Sequence, residues 1–358
     1  MKGGVVPDVI GTAKLTQAVT LLPYHEHLVW ERLSVNTPIS DGSAVLIDAP
    51  RSQSHKNIMV GRAVATMSGD SRVPVKIINP SDKWMEKPYV LARKFGSPQA
   101  IFTPLASLVE EHFTVIDLET LASQPELNQK IQAVLVWVDS AFLNRSLFQV
   151  LPNLKVVVNG GVGVDHLDIP LINSFGVKVC NTPKVVDNAT ADLAMGLMLA
   201  SARNIIQGDS FSRCHEEGED VDVNHLGIDV GSKTLGIVGM GSIGYKVAKR
   251  AAAFDMKIFY HNRRRRPVEE EQMVGAEYCP VLEDLLAVSD YVVLLVNLTK
   301  ASTHLIGRKQ LSAMKSTATL INVSRGMVVD QEALVEALQN KIIKAAALDV
   351  TYPEPLPR

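Results

Sequence analysis

The residues with the most evident chemistry form a glycine-rich turn in the second half of the chain. A short apolar run at residues 235–238 precedes it, and a stretch rich in Ala and Lys follows. The turn reads Gly239-Met-Gly241-Ser242-Ile243-Gly244. This spacing between a strand and a helix is typical of a site that binds a dinucleotide pyrophosphate at the helix N-terminus. We expect Gly239 to permit the tight turn, Gly241 to admit the phosphates and Gly244 to let helix and strand pack closely.

The residues after the next predicted strand, 257–260, indicate which dinucleotide. An NAD site carries an acidic residue about 20 residues beyond the glycines, but this chain has Asn262, followed by Arg263 and Arg264. A carboxylate would repel a 2′-phosphate, whereas a guanidinium attracts it through charge-assisted hydrogen bonds. The sequence therefore favours NADP(H) over NAD(H). A solvated basic patch at residues 263–266 is the alternative interpretation.

Composition excludes several other classes of protein. The net charge of −2 gives no argument for nucleic acid or an anionic membrane as a partner. The chain has three cysteines, an odd number, and they lack metal-ligand spacing: Cys180, Cys214 and Cys279. We expect them to be reduced thiols. No apolar run reaches membrane-spanning length, and the N-terminus lacks a signal-peptide pattern. We expect a soluble, cytoplasmic protein without a metal site.

The elements that must position these residues alternate between apolar strands and amphipathic helices from Lys87 onward. Strands are predicted at residues 89–92, 133–137, 154–158, 177–179, 235–238, 257–260, 291–296, 319–322 and 345–350, and helices at 104–112, 142–150 and 189–203. Such alternation predicts parallel sheets with crossover helices. The expected α/β fold has two lobes, a Rossmann doubly wound parallel sheet and a smaller flavodoxin-like α/β domain, with a cleft between them.

Residues 1–84 do not fit this scheme. Short strands are conceivable at 45–48, 58–60 and 75–78, but no helical period links them, so the segment is either a small β unit or partly disordered. We expect an N-terminal extension over 1–84, a smaller domain over 85–184 and the Rossmann domain over 185–358.

Three further stretches each follow a predicted strand. They are Val-Gly-Val-Asp-His-Leu-Asp at 162–168, Asn-Val-Ser-Arg-Gly at 322–326 and Leu-Asp-Val-Thr-Tyr-Pro-Glu-Pro at 348–355. Together with the glycine turn, and in this order, they resemble the D-isomer-specific 2-hydroxyacid dehydrogenases, above all the glyoxylate/hydroxypyruvate reductase branch. The resemblance covers residues from about 85 to 358. It implies NADPH-dependent reduction of small 2-oxo acids, with the smaller domain binding substrate.

The resemblance also implies roles for individual residues. The backbone N–H groups of Val162 and Gly163 would hold the substrate carboxylate, although this stretch would serve equally as a turn into a helix capped by Asp165. Arg325 would bind the substrate and polarise its carbonyl; a surface ion pair is the alternative. Cofactor contacts are implied for Asp349, Thr190, Leu298 and Thr299. A role in forming a turn would also explain Asp349. Ordinary packing or helix capping would also explain Thr190, Leu298 and Thr299.

Glu354 matches the family's catalytic carboxylate, which orients a histidine that acts as the proton donor. The family places that histidine roughly twenty residues later, but this sequence has no histidine after His304. Neither His166, in the carboxylate loop, nor His261, beside the ribose position, inherits the role. Because a positioned general acid contributes about 10²–10⁴-fold to rate, we expect the family fold with little turnover from this polypeptide, as from a C-terminally truncated chain.

Two other interpretations stay open at this point. The first is a dinucleotide-sensing binding protein without turnover, since corepressor-type proteins share this fold. The second is an incomplete gene product. The resemblance also implies a homodimer. However, the acidic run at 216–220 lies where relatives carry tryptophans of a dimer arm, and a solvated loop explains that run most simply.

Overall fold

The structure, a computed structural model, describes residues 34–35, 87–93, 103–137, 140–214 and 226–357. Its first sheet has the order β1-β6-β5-β4-β2-β3 and is parallel except for β1, which pairs antiparallel with β6. The strands are β1 (Ser34–Val35), β2 (Tyr89–Ala92), β3 (Thr114–Ile116), β4 (Ile131–Val136), β5 (Val156–Asn159) and β6 (Lys178–Asn181). The helices are α1 (Thr103–His112), α2 (Leu118–Ser123), α3 (Arg145–Val150) and α4 (Ile169–Ser174), with a 3-10 turn at Pro125–Gln129. Counted from β2, this is the flavodoxin-like order 2-1-3-4-5.

The second sheet is parallel throughout and has the order β12-β11-β10-β7-β8-β9. Its strands are β7 (Thr234–Val238), β8 (Lys257–His261), β9 (Ala276–Tyr278), β10 (Tyr291–Leu294), β11 (Thr319–Asn322) and β12 (Ala345–Leu348). Its helices are α5 (Asp187–Ala202), α6 (Ile205–Cys214), α7 (Ser242–Ala253), α8 (Val268–Val274), α9 (Leu282–Val288), α10 (Arg308–Ala313) and α11 (Gln331–Gln339), with a 3-10 turn at Gly326–Val328. This is the Rossmann order, and its switch point lies between β7 and β10.

Apolar side chains cover both faces of the second sheet. Every residue of β10 and β11 is buried, as expected for central parallel strands between two helix layers. On one face α5 packs beside α7 through buried residues such as Ala191, Ala194 and Met198. This packing sets the N-terminus of α5 beside that of α7, where the Ser242 hydroxyl donates a hydrogen bond to the buried Asp187 carboxylate.

The predicted fold class is confirmed, and the structure adds strands that the sequence pattern missed. β3 and β9 have three residues each and lie at sheet edges, too short for a recognisable alternation. β1 was also not predicted. The three strands considered at 45–48, 58–60 and 75–78, and the acidic run, lie outside the described residues.

Membrane-spanning helices and metal-binding clusters are both absent from the described residues. None of the helices there is both long and apolar enough to cross a bilayer. Within the same residues, no group of three or more His, Cys, Asp or Glu side chains is arranged to hold a metal ion.

Candidate active site

The three glycines of the turn after β7 have three different surroundings. Gly239 has φ +100°, and a Cβ there would lie 2.8 Å from the backbone of Leu295. A Cβ on Gly244 would lie 2.6 Å from the Gly239 carbonyl oxygen, whereas one on Gly241 would meet nothing within 4 Å. The first-turn N–H groups of α7, at Ser242, Ile243 and Gly244, have no intrahelical acceptor. A tight turn, an open face and free donors are what a pyrophosphate requires.

The amide of Asn262, just beyond β8, holds this turn in place. Its Oδ1 accepts from the Met240 N–H at 2.7 Å, and its Nδ2 donates to the Met240 carbonyl at 3.2 Å. The sequence predicted that Asn262 faces the ribose; in the structure its side chain binds the glycine turn.

The four consecutive arginines divide into two pairs. Arg265 donates to Glu271, and Arg266 binds Glu270 and donates to the Met240 carbonyl at 2.9 Å. Arg263 and Arg264 are exposed, and no described residue forms a hydrogen bond or ion pair with either. Two exposed guanidinium groups shortly after β8 are thus available to an anionic ligand.

The loop after β5 presents a row of free N–H groups. The carbonyl oxygens of residues 160–163 all accept hydrogen bonds from buried side chains: Gly161 and Gly163 from Asn159 Nδ2 (2.9 and 2.7 Å), Val162 from Asn181 Nδ2 (2.8 Å) and Gly160 from Thr182 Oγ1 (3.0 Å). In a trans peptide the following N–H points away from the carbonyl. The N–H groups of residues 161–164 therefore face the other way, and no acceptor among the described residues takes them.

Arg325 brings a cation to this row of donors. It follows β11 in a turn shaped by the buried Asn322, whose Oδ1 accepts from Ser324 and whose Nδ2 donates to the Arg325 carbonyl at 2.9 Å. A Cβ built on Gly163 would lie 1.7 Å from Arg325 Nη2, so the guanidinium covers that glycine. The structure thus brings together the predicted residues Val162, Gly163 and Arg325, from loops at the carboxyl ends of two different sheets.

The expectation that Asp165 caps the following helix is wrong. Asp168 caps α4 by accepting from the Leu171 N–H at 2.9 Å. The Asp165 carboxylate instead accepts from Arg325 Nε, at 3.1 and 3.2 Å for its two oxygens. Arg325 thus forms an ion pair, which was the alternative considered for it. Its partner is in the other lobe, so this is not an ion pair between neighbouring surface residues.

The segment after β12 packs against this arginine turn. A Cβ on Gly326 would lie 2.0 Å from the Thr351 carbonyl oxygen, so only glycine fits next to Arg325. Burial, followed by the nearby charge of Glu354, raises the pKa of Asp349. Glu354 is exposed and accepts from the Thr351 N–H at 3.3 Å. No hydrogen bond or ion pair between Glu354 and Arg325 occurs among the described residues.

The other predicted cofactor contacts lie around the glycine turn. Thr190 is in the first turn of α5, which the bond between Asp187 and Ser242 joins to α7. Leu298 packs on the core, and Thr299 forms a local turn with Ser302 in the loop after β10. That loop begins beside Gly239, at the switch point of the sheet.

His166 is held by the same asparagine as the loop. Because Asn159 Nδ2 donates to two carbonyls, its Oδ1 is the acceptor and His166 Nε2 donates to it at 3.1 Å. Burial lowers the pKa of His166, an effect that Asp165 opposes and Arg325 reinforces. The imidazole is therefore neutral near pH 7.

Sequence reasoning missed Asn159, Asn181, Thr182 and Asn322, which shape the site without being expected to touch a ligand. A signal was present: β5, β6 and β11 each end in asparagine. Asparagine is unusual in buried strands and common where a side chain must bind turn backbone.

Comparison with known proteins agrees with this geometry. Residues 195–358 match the family model described as D-isomer specific 2-hydroxyacid dehydrogenase, NAD binding domain. Glyoxylate reductase of Thermococcus onnurineus is 44% identical over 256 residues, which are 69% of this chain and 76% of that protein. Glyoxylate/hydroxypyruvate reductase B of Yersinia pestis is 38% identical over 263 residues, 72% of this chain and 80% of that protein.

Solved structures give the same result. A glyoxylate reductase from Paecilomyes thermophila superposes with a TM-score of 0.64 at 31% identity, covering 76% of this chain and 84% of that one. An NADPH-dependent glyoxylate/hydroxypyruvate reductase from Sinorhizobium meliloti, in complex with NADP and malonate, superposes with a TM-score of 0.65 at 30% identity. The coverage there is 76% of this chain and 82% of that one.

Proposed function

This chain belongs to the D-isomer-specific 2-hydroxyacid dehydrogenase family, and on that premise we propose that it reduces small 2-oxo acids to 2-hydroxy acids with NADPH. Glyoxylate and hydroxypyruvate are the foremost substrates, as in the names of its relatives. The observation that carries the proposal is the meeting of Arg325 with the free N–H groups of residues 161–164. A cation above a row of donors suits a carboxylate that bears an adjacent carbonyl.

The site residues would divide the work as follows. The N–H groups of Val162 and Gly163 hold the substrate carboxylate, and Arg325 Nη2 donates to the carbonyl oxygen. This donation stabilises negative charge that develops on that oxygen, which is the main electrostatic contribution to such a reaction. When bound, the nicotinamide cofactor supplies the hydride. Glu354, in the turn that packs on Gly326, would orient an imidazole proton donor.

The cofactor would lie on the glycine turn, with its pyrophosphate at Gly241, Ser242, Ile243 and Gly244. Asp349 would bind the nicotinamide carboxamide, and Thr190, Leu298 and Thr299 would line the rest of the cofactor site. The preference for NADPH is supported by the unpaired Arg263 and Arg264 and by Asn262, which leaves no carboxylate at the end of β8 to repel a 2′-phosphate. NAD(H) is the less favoured cofactor.

Calorimetry tests this proposal directly. The protein is titrated with NADPH and with NADH, and the NADPH complex is then titrated with oxamate. Oxamate carries a carboxylate beside a carbonyl oxygen and cannot be reduced. We expect NADPH to bind at least about tenfold more tightly than NADH, the value of one charge-assisted hydrogen bond, and oxamate to bind the NADPH complex. Equal affinity for both cofactors would remove the NADPH preference, and absence of oxamate binding would remove the substrate class.

We further propose that the chain forms a homodimer in the cytoplasm, with domains at 85–184 and 185–358 and an N-terminal extension at 1–84. Exposed apolar side chains near α6 support the dimer: Ile205 is 52%, Ile206 70% and Leu226 74% exposed. The described cysteines Cys180 and Cys279 are unpaired, which suits a reducing compartment. Light scattering after size exclusion measures the mass, and a monomer at micromolar concentration would contradict the dimer.

A further inference from the structure

The guanidinium of Arg325 is held on two sides and open on the third. Its Nε donates to both oxygens of Asp165 at 3.1 and 3.2 Å, and its Nη1 donates to the Ser324 carbonyl at 2.8 Å. Its Nη2 lies over Gly163, and no described residue accepts a hydrogen bond from it. The Nη2 edge, which lies over Gly163 in the loop with the free N–H groups, is therefore left without a partner.

We propose that Asp165 is a positioning residue, which acts through Arg325 by fixing the guanidinium so that Nη2 faces the substrate. This inference rests on the proposed function, because it concerns the same carboxylate-binding site. Asp165 and Arg325 lie 160 residues apart, on loops from the two sheets. The ion pair thus also fixes the position of Arg325, from the second lobe, relative to the loop of Asp165 in the first lobe.

The geometry favours positioning over competition for the substrate. A carboxylate that competed with substrate would occupy the Nη2 edge, but both Asp165 oxygens lie on Nε. The Arg325 side chain is 40% exposed and the Asp165 side chain 22%, so little packing restrains the arginine. A long side chain loses rotamer freedom when it binds a ligand, and a partner that orders it beforehand reduces that loss.

The experiment compares three variants with the wild-type chain, each saturated with NADPH and titrated with oxamate by calorimetry. Asp165→Ala removes the acceptor, and Asp165→Asn keeps one oxygen that can accept from Nε. Asp168→Ala is the matched control, because it removes an equal charge from the same loop and loses the cap of α4 without touching Arg325.

We expect Asp165→Ala to weaken oxamate binding about tenfold, and Asp165→Asn to weaken it less. Asp168→Ala should stay within about twofold of wild type, as for substitutions away from a binding contact. The affinity for NADPH alone should be the same in all four proteins. NMR of ¹⁵N-arginine-labelled protein gives a second readout. The Nε–H of Arg325, assigned by its loss in Arg325→Lys, should exchange slowly in wild type and Asp168→Ala but rapidly in Asp165→Ala.

Each outcome decides between the two proposals. If wild type binds NADPH and oxamate and Asp165→Ala binds oxamate equally well, the positioning role is wrong while the proposed function stands. Tighter oxamate binding in Asp165→Ala would mean that Asp165 competes with the substrate, which also overturns the proposal. If wild type binds NADPH but not oxamate, the proposed substrate class fails, and the role of Asp165 fails with it.

Discussion

Asparagine side chains at strand ends organise the loops of this molecule. Asn159, Asn181 and Asn322 end β5, β6 and β11, and Asn262 follows β8. Each binds backbone groups of a neighbouring loop. An amide that both donates and accepts can replace ladder bonds where a strand stops, so these residues give the site its shape.

Asn159→Ala should destabilise the protein and impair the site together. Asn159 is fully buried, and its loss would leave the Gly163 carbonyl without its donor, while the Gly161 carbonyl would keep only the Thr182 N–H. Unsatisfied buried polar groups cost about 1–3 kcal/mol each. Urea denaturation measures the loss of stability, and oxamate titration measures the loss of the site. Asn340→Ala, an exposed asparagine at the end of α11, is the control. Similar stability of the two variants would contradict the prediction.

Replacing Arg263 and Arg264 together by Ala should weaken NADPH by about tenfold or more and leave NADH unchanged, because only the 2′-phosphate uses them. Calorimetry with both cofactors makes the comparison. Arg308→Ala serves as the control, since that exposed arginine pairs with Glu336 far from the glycine turn. A parallel loss of affinity for both cofactors would argue against a 2′-phosphate contact.

The sequence predicted the candidate ligand-binding residues better than it predicted the residues that hold them in place. The glycine turn follows from its spacing, whereas Arg325 and the 162–163 loop follow from the resemblance to the family. The partner of Arg325 could not be predicted in that way. Asp165 in a turn before a helix resembles a cap, and nothing local distinguishes it from Asp168, which has that role.

At the scale of elements, the turn between β7 and α7 allows a matched test of two glycines. Gly241→Ala adds a methyl group where nothing lies within 4 Å, so the fold should tolerate it while the pyrophosphate loses its approach. Gly244→Ala places a methyl group 2.6 Å from the Gly239 carbonyl, so helix and strand must separate. We expect an unchanged melting temperature with weak NADPH binding for the first variant, and a lowered melting temperature for the second. The reverse pattern would refute these assignments.

The connection between β8 and α8 depends on a buried acid. Tyr260 and Arg265 both donate to Glu271, which is 4% exposed. The Arg265 hydrogen bond holds the pKa of Glu271 below its ordinary value, against the effect of burial and with help from Tyr260. Burial, then the bond to Glu271, raises the pKa of Tyr260 to about 12, so its hydroxyl stays a donor at neutral pH.

The stability due to Glu271 should therefore depend on pH with a defined sign. A carboxyl whose pKa is lower in the folded state stabilises fully above its unfolded value, about 4.3. That contribution disappears as the pH falls through the folded value. We expect Glu271→Gln to melt earlier than wild type at pH 7, with the difference shrinking below about pH 4. Glu269→Gln, exposed on α8, should match wild type at every pH. A difference that persisted at low pH would point to packing instead.

For the whole molecule, alternating apolar runs were sufficient to predict two parallel sheets joined by a long helix. The same alternation leaves strand order open, because right-handed crossovers still allow a few arrangements and the two sheets have different orders. How the lobes meet could not be predicted. Periodicity reports which face of an element is buried, but not that the loop after β11 reaches the loop after β5.

Glyoxylate reduction tests whether a described histidine donates the proton in the proposed reaction. His166 directly follows Asp165, the residue that binds Arg325. Its Nε2 already donates a hydrogen bond to Asn159. We therefore expect His166 not to supply the proton, and a rate that depends on the described histidines alone should be about 10²–10⁴-fold below that with a positioned general acid. Imidazole added to the buffer should raise the rate. Rapid NADPH oxidation without imidazole would show that another group supplies the proton.

The free donors of residues 161–164 also make the protein report its own occupancy. Backbone amides in β5 and β6 are locked into the ladder and should exchange deuterium slowly, whereas the N–H groups of residues 161–164 have no acceptor to protect them. Deuterium uptake should therefore show a fast island at residues 161–164, directly after the slow strand β5. A bound anion would slow that island alone, so occupancy of the carboxylate position could be followed without any label or catalytic event.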